Sequence, residues 1–245
     1  MPVKIGHALI IATALLTTAC AKPMELPFDL GTVKMPDSLT GLLPDSLSDS
    51  MQAQHVKRHE AALNAAEPDH IVALNGDNNA LFVLPEIPWP LDADKVDVTQ
   101  KVHATWQNGQ TADFEARLSL APGHVRMVML DPMGRRAMQI NWSRTDLDFQ
   151  RADWMPAAFD PARMLADLMM VYWPTEILRD ALPSHMTLVS NPDTRQIAAL
   201  DEDGDSTAYT DITYPAQDRW QGDASLSNIR DGYALHIRSS RIGTQ

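Results

Sequence analysis

The chain has a single cysteine, Cys20, so no internal disulfide can staple it. Cations are scarce too. With 20 Lys and Arg against 32 Asp and Glu, the net charge of -12 argues against a nucleic-acid partner, whose backbone calls for clustered basic residues. No apolar run approaches the ~20 residues that a membrane-spanning helix requires. The phosphate-binding glycine motifs are missing, as is the Gly-x-Ser-x-Gly of a serine hydrolase. Ser184 and His185 are adjacent in a loop after Pro183, but neighbours in sequence rarely aim at each other and no acid is placed to orient the ring.

Two metal-like patterns fail on spacing. His55 and His59 fall four apart on a predicted helix, yet no Glu lies between them to act as a base, and Lys57 and Arg58 oppose a dication. That pattern reads better as a solvated helix face. In Asp201-Glu202-Asp203-Gly204-Asp205 the glycine comes fourth instead of sixth, and Ile212 stands where a calcium loop needs a bidentate Glu. A solvated hairpin turn is the expectation. No metal and no cofactor are expected.

What is present begins at the N-terminus. Lys4, an apolar run from Ala8 to Leu16, and Thr17-Thr18-Ala19 ahead of Cys20 have the tripartite layout of a secretory signal. About nine apolar residues are half of what a bilayer crossing needs, so residues 1–19 are expected to be cleaved. Cys20 then becomes the lipid-attachment residue and new N-terminus, although the position three before it is Thr17 where Leu is usual. Its acyl chains, at ~0.8 kcal/mol per buried methylene, hold the protein on a membrane. Ala21 in place of Asp points to the outer membrane under the common sorting rule.

Residues 20–83 are expected to form a lipid-anchored tether containing one helix. The stretch to about Ser50 repeats Pro-Asp-Ser-Leu at Pro36 and Pro44, and a helix over 49–66 follows, capped by Ser48 or Ser50 and stopped by Pro68. Leu84-Pro85-Glu86-Ile87-Pro88-Trp89-Pro90 is a proline-stiffened lead into a domain spanning 84–245. From Thr99 the hydrophobic period becomes two, marking four antiparallel strands: one through Val102 and Trp106, one from Phe114 to Leu120, one through Val125 and Met129, and one through Met138 and Trp142. Asp160 as N-cap and Pro161 at the first position open a helix that Trp173-Pro174 breaks, and a short helix covers 175–182. Strands resume at 194–200, 206–214, 222–229 and 232–237.

This order predicts an α+β fold in which a curved antiparallel sheet forms an incomplete β-barrel with helices as plug or lid. A two-sheet sandwich with the helices at one end fits the periodicity equally well. Nine of the thirteen methionines lie between Met127 and Met186. Methionine suits irregular cores and adaptable pockets alike, so these residues form either an ordinary core or a cavity.

The segments Leu130-Asp131-Pro132-Met133-Gly134-Arg135-Arg136, Leu165-Ala166-Asp167-Leu168 and Val171-Tyr172-Trp173-Pro174, with Asn228 and Gly232-Tyr233, resemble a family of bacterial lipoproteins encoded in aryl-polyene pigment gene clusters. The resemblance runs from about Leu84 to Ser239 and departs from the family pattern at Met169, where a polar residue is usual. That family is similar in architecture to the carrier and receptor of the lipoprotein-localisation (Lol) pathway, which implies a LolA/LolB-like incomplete barrel over an apolar cavity.

The expectation is therefore a non-enzymatic, monomeric carrier or acceptor of acyl or polyene lipid, or of acylated protein. It would face the periplasm from the outer membrane. Met127, Met129, Met138, Trp142, Met164, Leu168 and Trp173 are expected to line the cavity, and Arg135 or Arg136 to meet a phosphate or carboxylate head group at its mouth. An envelope scaffold with a filled core is the alternative, and a hydrolase a weaker third.

Overall fold

In each long strand, apolar and polar residues alternate, so one face of the ribbon must find cover. In the computed structural model that cover is a shared core. The structure describes residues 45–245, apart from 75–79, 87–94, 156–158, 201–205, 215–217 and 244–245, with side chains from residue 50 onward. Cys20, the signal segment, the first Pro-Asp-Ser-Leu repeat, the acidic turn 201–205 and most of the stretch 84–90 lie outside the described residues.

Ten strands form one antiparallel sheet built from two meanders. The first comprises β3 (Val96–Trp106), β4 (Thr111–Ala121), β5 (His124–Leu130), β6 (Arg136–Ser143) and β7 (Asp146–Arg151). The second comprises β8 (Met186–Ser190), β9 (Thr194–Leu200), β10 (Ser206–Thr213), β11 (Gly222–Asn228) and β12 (Tyr233–Arg241). They join where β12 pairs with β3, Leu235 opposite Ala104 and Ile237 opposite Val102. β7 and β8 remain as the two edges, so the curved sheet wraps without closing. Asp146, Asp148 and Arg151 put charge on one edge, which discourages pairing with another chain. A single sheet answers the choice between barrel and sandwich.

The helices α2 (Pro161–Tyr172) and α3 (Thr175–Ala181) occupy the link between the meanders. Nine of α2's twelve residues are buried, which makes it a plug within the curve of the sheet and not an outer lid. Its start follows the expected chemistry, with Asp160 Oδ1 accepting from the Ala162 N–H at 3.0 Å and Pro161 at the first position. Its end is held by residues far along the chain. The guanidinium of Arg195, 1% exposed, donates to the carbonyls of Met170 and Trp173, and Tyr214 donates to the Val171 carbonyl at 2.6 Å. These contacts satisfy carbonyls that a helix leaves free, and they set a cation at its negative end.

Several boundaries differ from the sequence expectation. The long helix α1 runs Asp45–Ala65, so Ser48 and Ser50 lie inside it and neither caps it. Its histidines are not a solvated face: His59 is 6% exposed, and the ring Nε2 of His55 sits 3.0 Å from the Leu182 carbonyl at the end of α3. The packed unit also starts upstream of residue 84. A two-stranded ribbon, β1 (Ile71–Ala73) with β2 (Leu81–Val83), contributes Val72, Leu74, Phe82 and Leu84 to the core. Pro44 to Gln245 form one compact unit.

Candidate functional site

The inner face of the β5-β4-β3-β12 quarter is where the core is incomplete. From the sheet come Met127 and Met129 of β5, Phe114 and Ala116 of β4, Val102 and Ala104 of β3, and Leu235 and Ile237 of β12. The first two turns of α2 close the other side with Arg163, Met164, Asp167 and Leu168. Between them lies a mainly apolar cleft of about 180 Å3. Phe159, just ahead of α2, stands edge-on to Trp106 and Phe114 with ring centroids 5.8 and 5.7 Å away. Ala104 and Ala116 explain why the space exists, because at both inward positions the side chain stops at one carbon. Both are buried, at 2% and 4% exposure.

Of the seven residues expected to line a cavity, four do so: Met127, Met129, Met164 and Leu168. Met138, Trp142 and Trp173 do not. Each is 0% exposed within the filled core, and Trp173 is fixed there by its indole N–H donating to the Pro85 carbonyl at 3.1 Å. The Tyr172-Trp173-Pro174 break therefore ends a helix inside the core.

Arg135 and Arg136 do not line the cleft either. Both are exposed at the turn between β5 and β6, and the turn engages Arg135 through its Nε. Asp131 Oδ1 accepts from the N–H groups of Met133 and Arg135 at 2.9 and 2.8 Å, while Arg135 Nε donates to Asp131 Oδ2 at 2.7 Å. Gly134 supplies the left-handed conformation this turn needs, at φ +77°. The Asp-Pro-Met-Gly-Arg motif is thus a self-capped turn, and Arg136 leans instead toward Gln139 at 3.4 Å.

The polar chemistry of the cleft belongs to residues with no role assigned from sequence. Arg163 and Asp167 are one helical turn apart on the cleft side of α2. Tyr233 donates its hydroxyl proton to Asp167 Oδ2 at 2.6 Å, and the Tyr233 hydroxyl oxygen itself accepts from Arg163 Nε at 3.3 Å and Asn228 Nδ2 at 3.2 Å. Arg163 Nη2 reaches Asp231 Oδ2 at 2.7 Å, and its Nη1 donates to the carbonyls of Ala73 and Leu74 at 3.3 Å. Burial pushes the Asp167 carboxyl up to about 6, overriding the pull of the neighbouring guanidinium and hydroxyl. Burial also opposes the charge on Arg163, but Tyr233, Asp167 and Asp231 more than compensate, so its pKa is raised. Gly232, at φ +67°, shapes the turn that presents Asp231 and Tyr233, and a Cβ there would lie 2.4 Å from the Gln107 side chain.

A larger hollow of about 530 Å3 lies against β3, β4, β12 and the turn after β5, with Val102 and Phe114 lining both it and the cleft. Groups of opposite kind sit together on it: His103 is 2.8 Å from Asp113 and Arg117 3.3 Å from Glu115, and Arg238 reaches Asp223 beside it at 2.8 Å. It is a solvated outer surface. Among the described residues no cluster of three or more His, Cys, Asp or Glu could hold a metal, and no helix is long and apolar enough to cross a membrane.

Among solved structures, the chain is similar to a DUF1329 family protein from Desulfovibrio piger, with 11% identity and a TM-score of 0.34 over 60% of this chain and 84% of that one. It is also similar to a LolA superfamily protein from Nitrosomonas europaea, with 7% identity and a TM-score of 0.28. A third is an outer membrane lipoprotein-sorting protein domain from Vibrio parahaemolyticus, with 7% identity and a TM-score of 0.30. Each of the latter two alignments covers 79% of this chain and 94% of the other. No curated protein matches the sequence. A family profile described as "Protein of unknown function (DUF3261)" matches residues 97–241, from the start of β3 to the end of β12, and the chain belongs to that family.

Proposed function

We propose that this protein is a non-enzymatic carrier or acceptor of an apolar chain, held at the outer membrane by a lipidated Cys20 and facing the periplasm. The cleft between α2 and the β5-β4-β3-β12 quarter carries this reading. Its walls are mainly apolar, with Asp160, Arg163, Asp167 and Tyr233 gathered at one end and Gln100 tied to Tyr172 and Ser239, and two alanines leave it unfilled. Each methylene buried there contributes ~0.8 kcal/mol, so five or six offset a large part of the cost of association. At about 180 Å3 the cleft is smaller than the ~300 Å3 at which pockets for drug-sized molecules begin, so it suits one end of a single chain. An acyl lipid, a polyene lipid and the acyl group of a lipoprotein all present such an end. The protein acts as a monomer in this reading.

Filling the cleft tests the proposal. Ala116→Leu adds three carbons to it without adding charge. Displacement of N-phenyl-1-naphthylamine by dodecanol should weaken by about tenfold or more, while thermal stability holds or rises as the void closes. Unchanged binding by a stable variant would remove the cleft as the site. The alternative of an envelope scaffold with a filled core is favoured by the complete burial of Met138, Trp142, Met169 and Trp173. Under that reading neither the parent chain nor the variant binds the probe.

A further inference from the structure

The polar end of the cleft has one unmet requirement. Tyr233 has spent its proton on Asp167 Oδ2 and accepts from both Arg163 and Asn228. All three nitrogens of Arg163 are engaged by Tyr233, Asp231 and two backbone carbonyls. Asp167 Oδ1 is different. It is buried without a hydrogen-bond partner, and Arg163 Nε is 3.6 Å away, too far for a hydrogen bond. The side chain is 10% exposed, and the residue lines the cleft.

A buried acceptor left unpaired costs ~1–3 kcal/mol, so a ligand group able to donate to it gains selectively. The charges agree. Asp167 and Asp231 set two carboxylates against the single guanidinium of Arg163, which leaves this end of the cleft negative near neutral pH. An anionic head group would meet that field, and the Arg163 donors at this end are already engaged.

We propose that the cleft selects chains whose polar end carries a hydrogen-bond donor, an amine or a hydroxyl, seated on Asp167 Oδ1, and discriminates against chains ending in a carboxylate. This rests on the cleft reading above and names the ligand class for that same site. It replaces the sequence expectation of an arginine-held anion, since Arg135 and Arg136 lie outside the cleft.

The test compares one chain length with three head groups. Dodecylammonium, dodecanol and dodecanoate are titrated into the exported chain carrying Cys20→Ser near neutral pH, by displacement of N-phenyl-1-naphthylamine. The amine and the alcohol should bind about tenfold or more tighter than the carboxylate. Asp167→Asn, which removes the charge but keeps a side-chain oxygen for Tyr233, should bring dodecylammonium and dodecanoate to within about twofold of each other. Equal binding of all three, or tightest binding of dodecanoate, overturns the head-group assignment and leaves the cleft standing. Binding of none overturns both. A preference that survives Asp167→Asn removes Asp167 as the seat, and if that variant does not fold, the head-group series on the Asp167 protein decides alone.

Discussion

Asp167 shows how a single position gathers its role from the fold. In sequence it is one acid within an apolar helix, and in the structure it is enclosed beside Arg163, Tyr233 and Asp231. Because burial raises its pKa from 3.8 to about 6, the folded state holds this proton more tightly than the unfolded chain does. The stability this group contributes is present below pH 3.8 and is lost as the pH climbs through about 6. Thermal melts between those limits should show the Asp167 protein losing on the order of 2 kcal/mol relative to Asp167→Asn as the pH rises. A constant difference between the two would show that the carboxyl does not titrate with a raised pKa. The four cleft residues found from sequence were legible because long apolar side chains at strand and helix spacing advertise themselves. Ala104 and Ala116 were not, since a void is made by what is absent. Asp167 and Tyr233 stood within the segments on which the family resemblance rests, but their hydrogen bond spans 66 positions and has no local signature.

At the scale of elements, alternation located most of the long strands, and the Asp160-Pro161 start of α2 followed capping chemistry. Two of the strands it did not mark are edges, where one flank of the ribbon has no partner and less of the face is covered. In β7 only Leu147 is even half-buried, and Phe149 is 46% exposed, so its alternating pair looked like loop. β8 follows a turn closed by Met186 N–H to the Pro183 carbonyl, and its five residues are too few to establish a period. The ribbon of β1 and β2 has three residues per strand, below the length at which periodicity speaks, and so the boundary expected at residue 84 cut through packed structure. The end of α2 depends on a long-range contact that no local rule reveals. Arg195, its pKa lowered to about 10 by burial, stays charged near neutrality and holds the Met170 and Trp173 carbonyls. Arg195→Met should cost about 3 kcal/mol by leaving those carbonyls unpaired, and lower Tm by roughly 6–12 °C in a domain of this size. A shift under about 2 °C would mean that the helix end is held by its packing alone.

For the whole molecule, the arrangement follows from connectivity. Two five-stranded meanders each offer one apolar face, and joining them through β3 and β12 turns both faces onto a common interior. α2 lies in the link and plugs that interior, and the space it leaves falls against the junction strands. The curved sheet was readable because eight of its ten strands alternate clearly, and amphipathic strands with short connections have few ways to hide their apolar faces. The position of the space was not, because it depends on how far α2 sinks, and that depth is set by Arg195, Tyr214 and the Arg163 network acting across the sheet.

The most direct measurement of the central claim is native mass spectrometry of residues 21–245, recovered from the periplasm without detergent and followed by lipid extraction. The account predicts a bound apolar chain that is released on denaturation and is absent from Ala116→Leu. A mass that is clean on purification, and stays clean after incubation with bacterial lipid vesicles, would contradict it and identify the domain as one with a filled core.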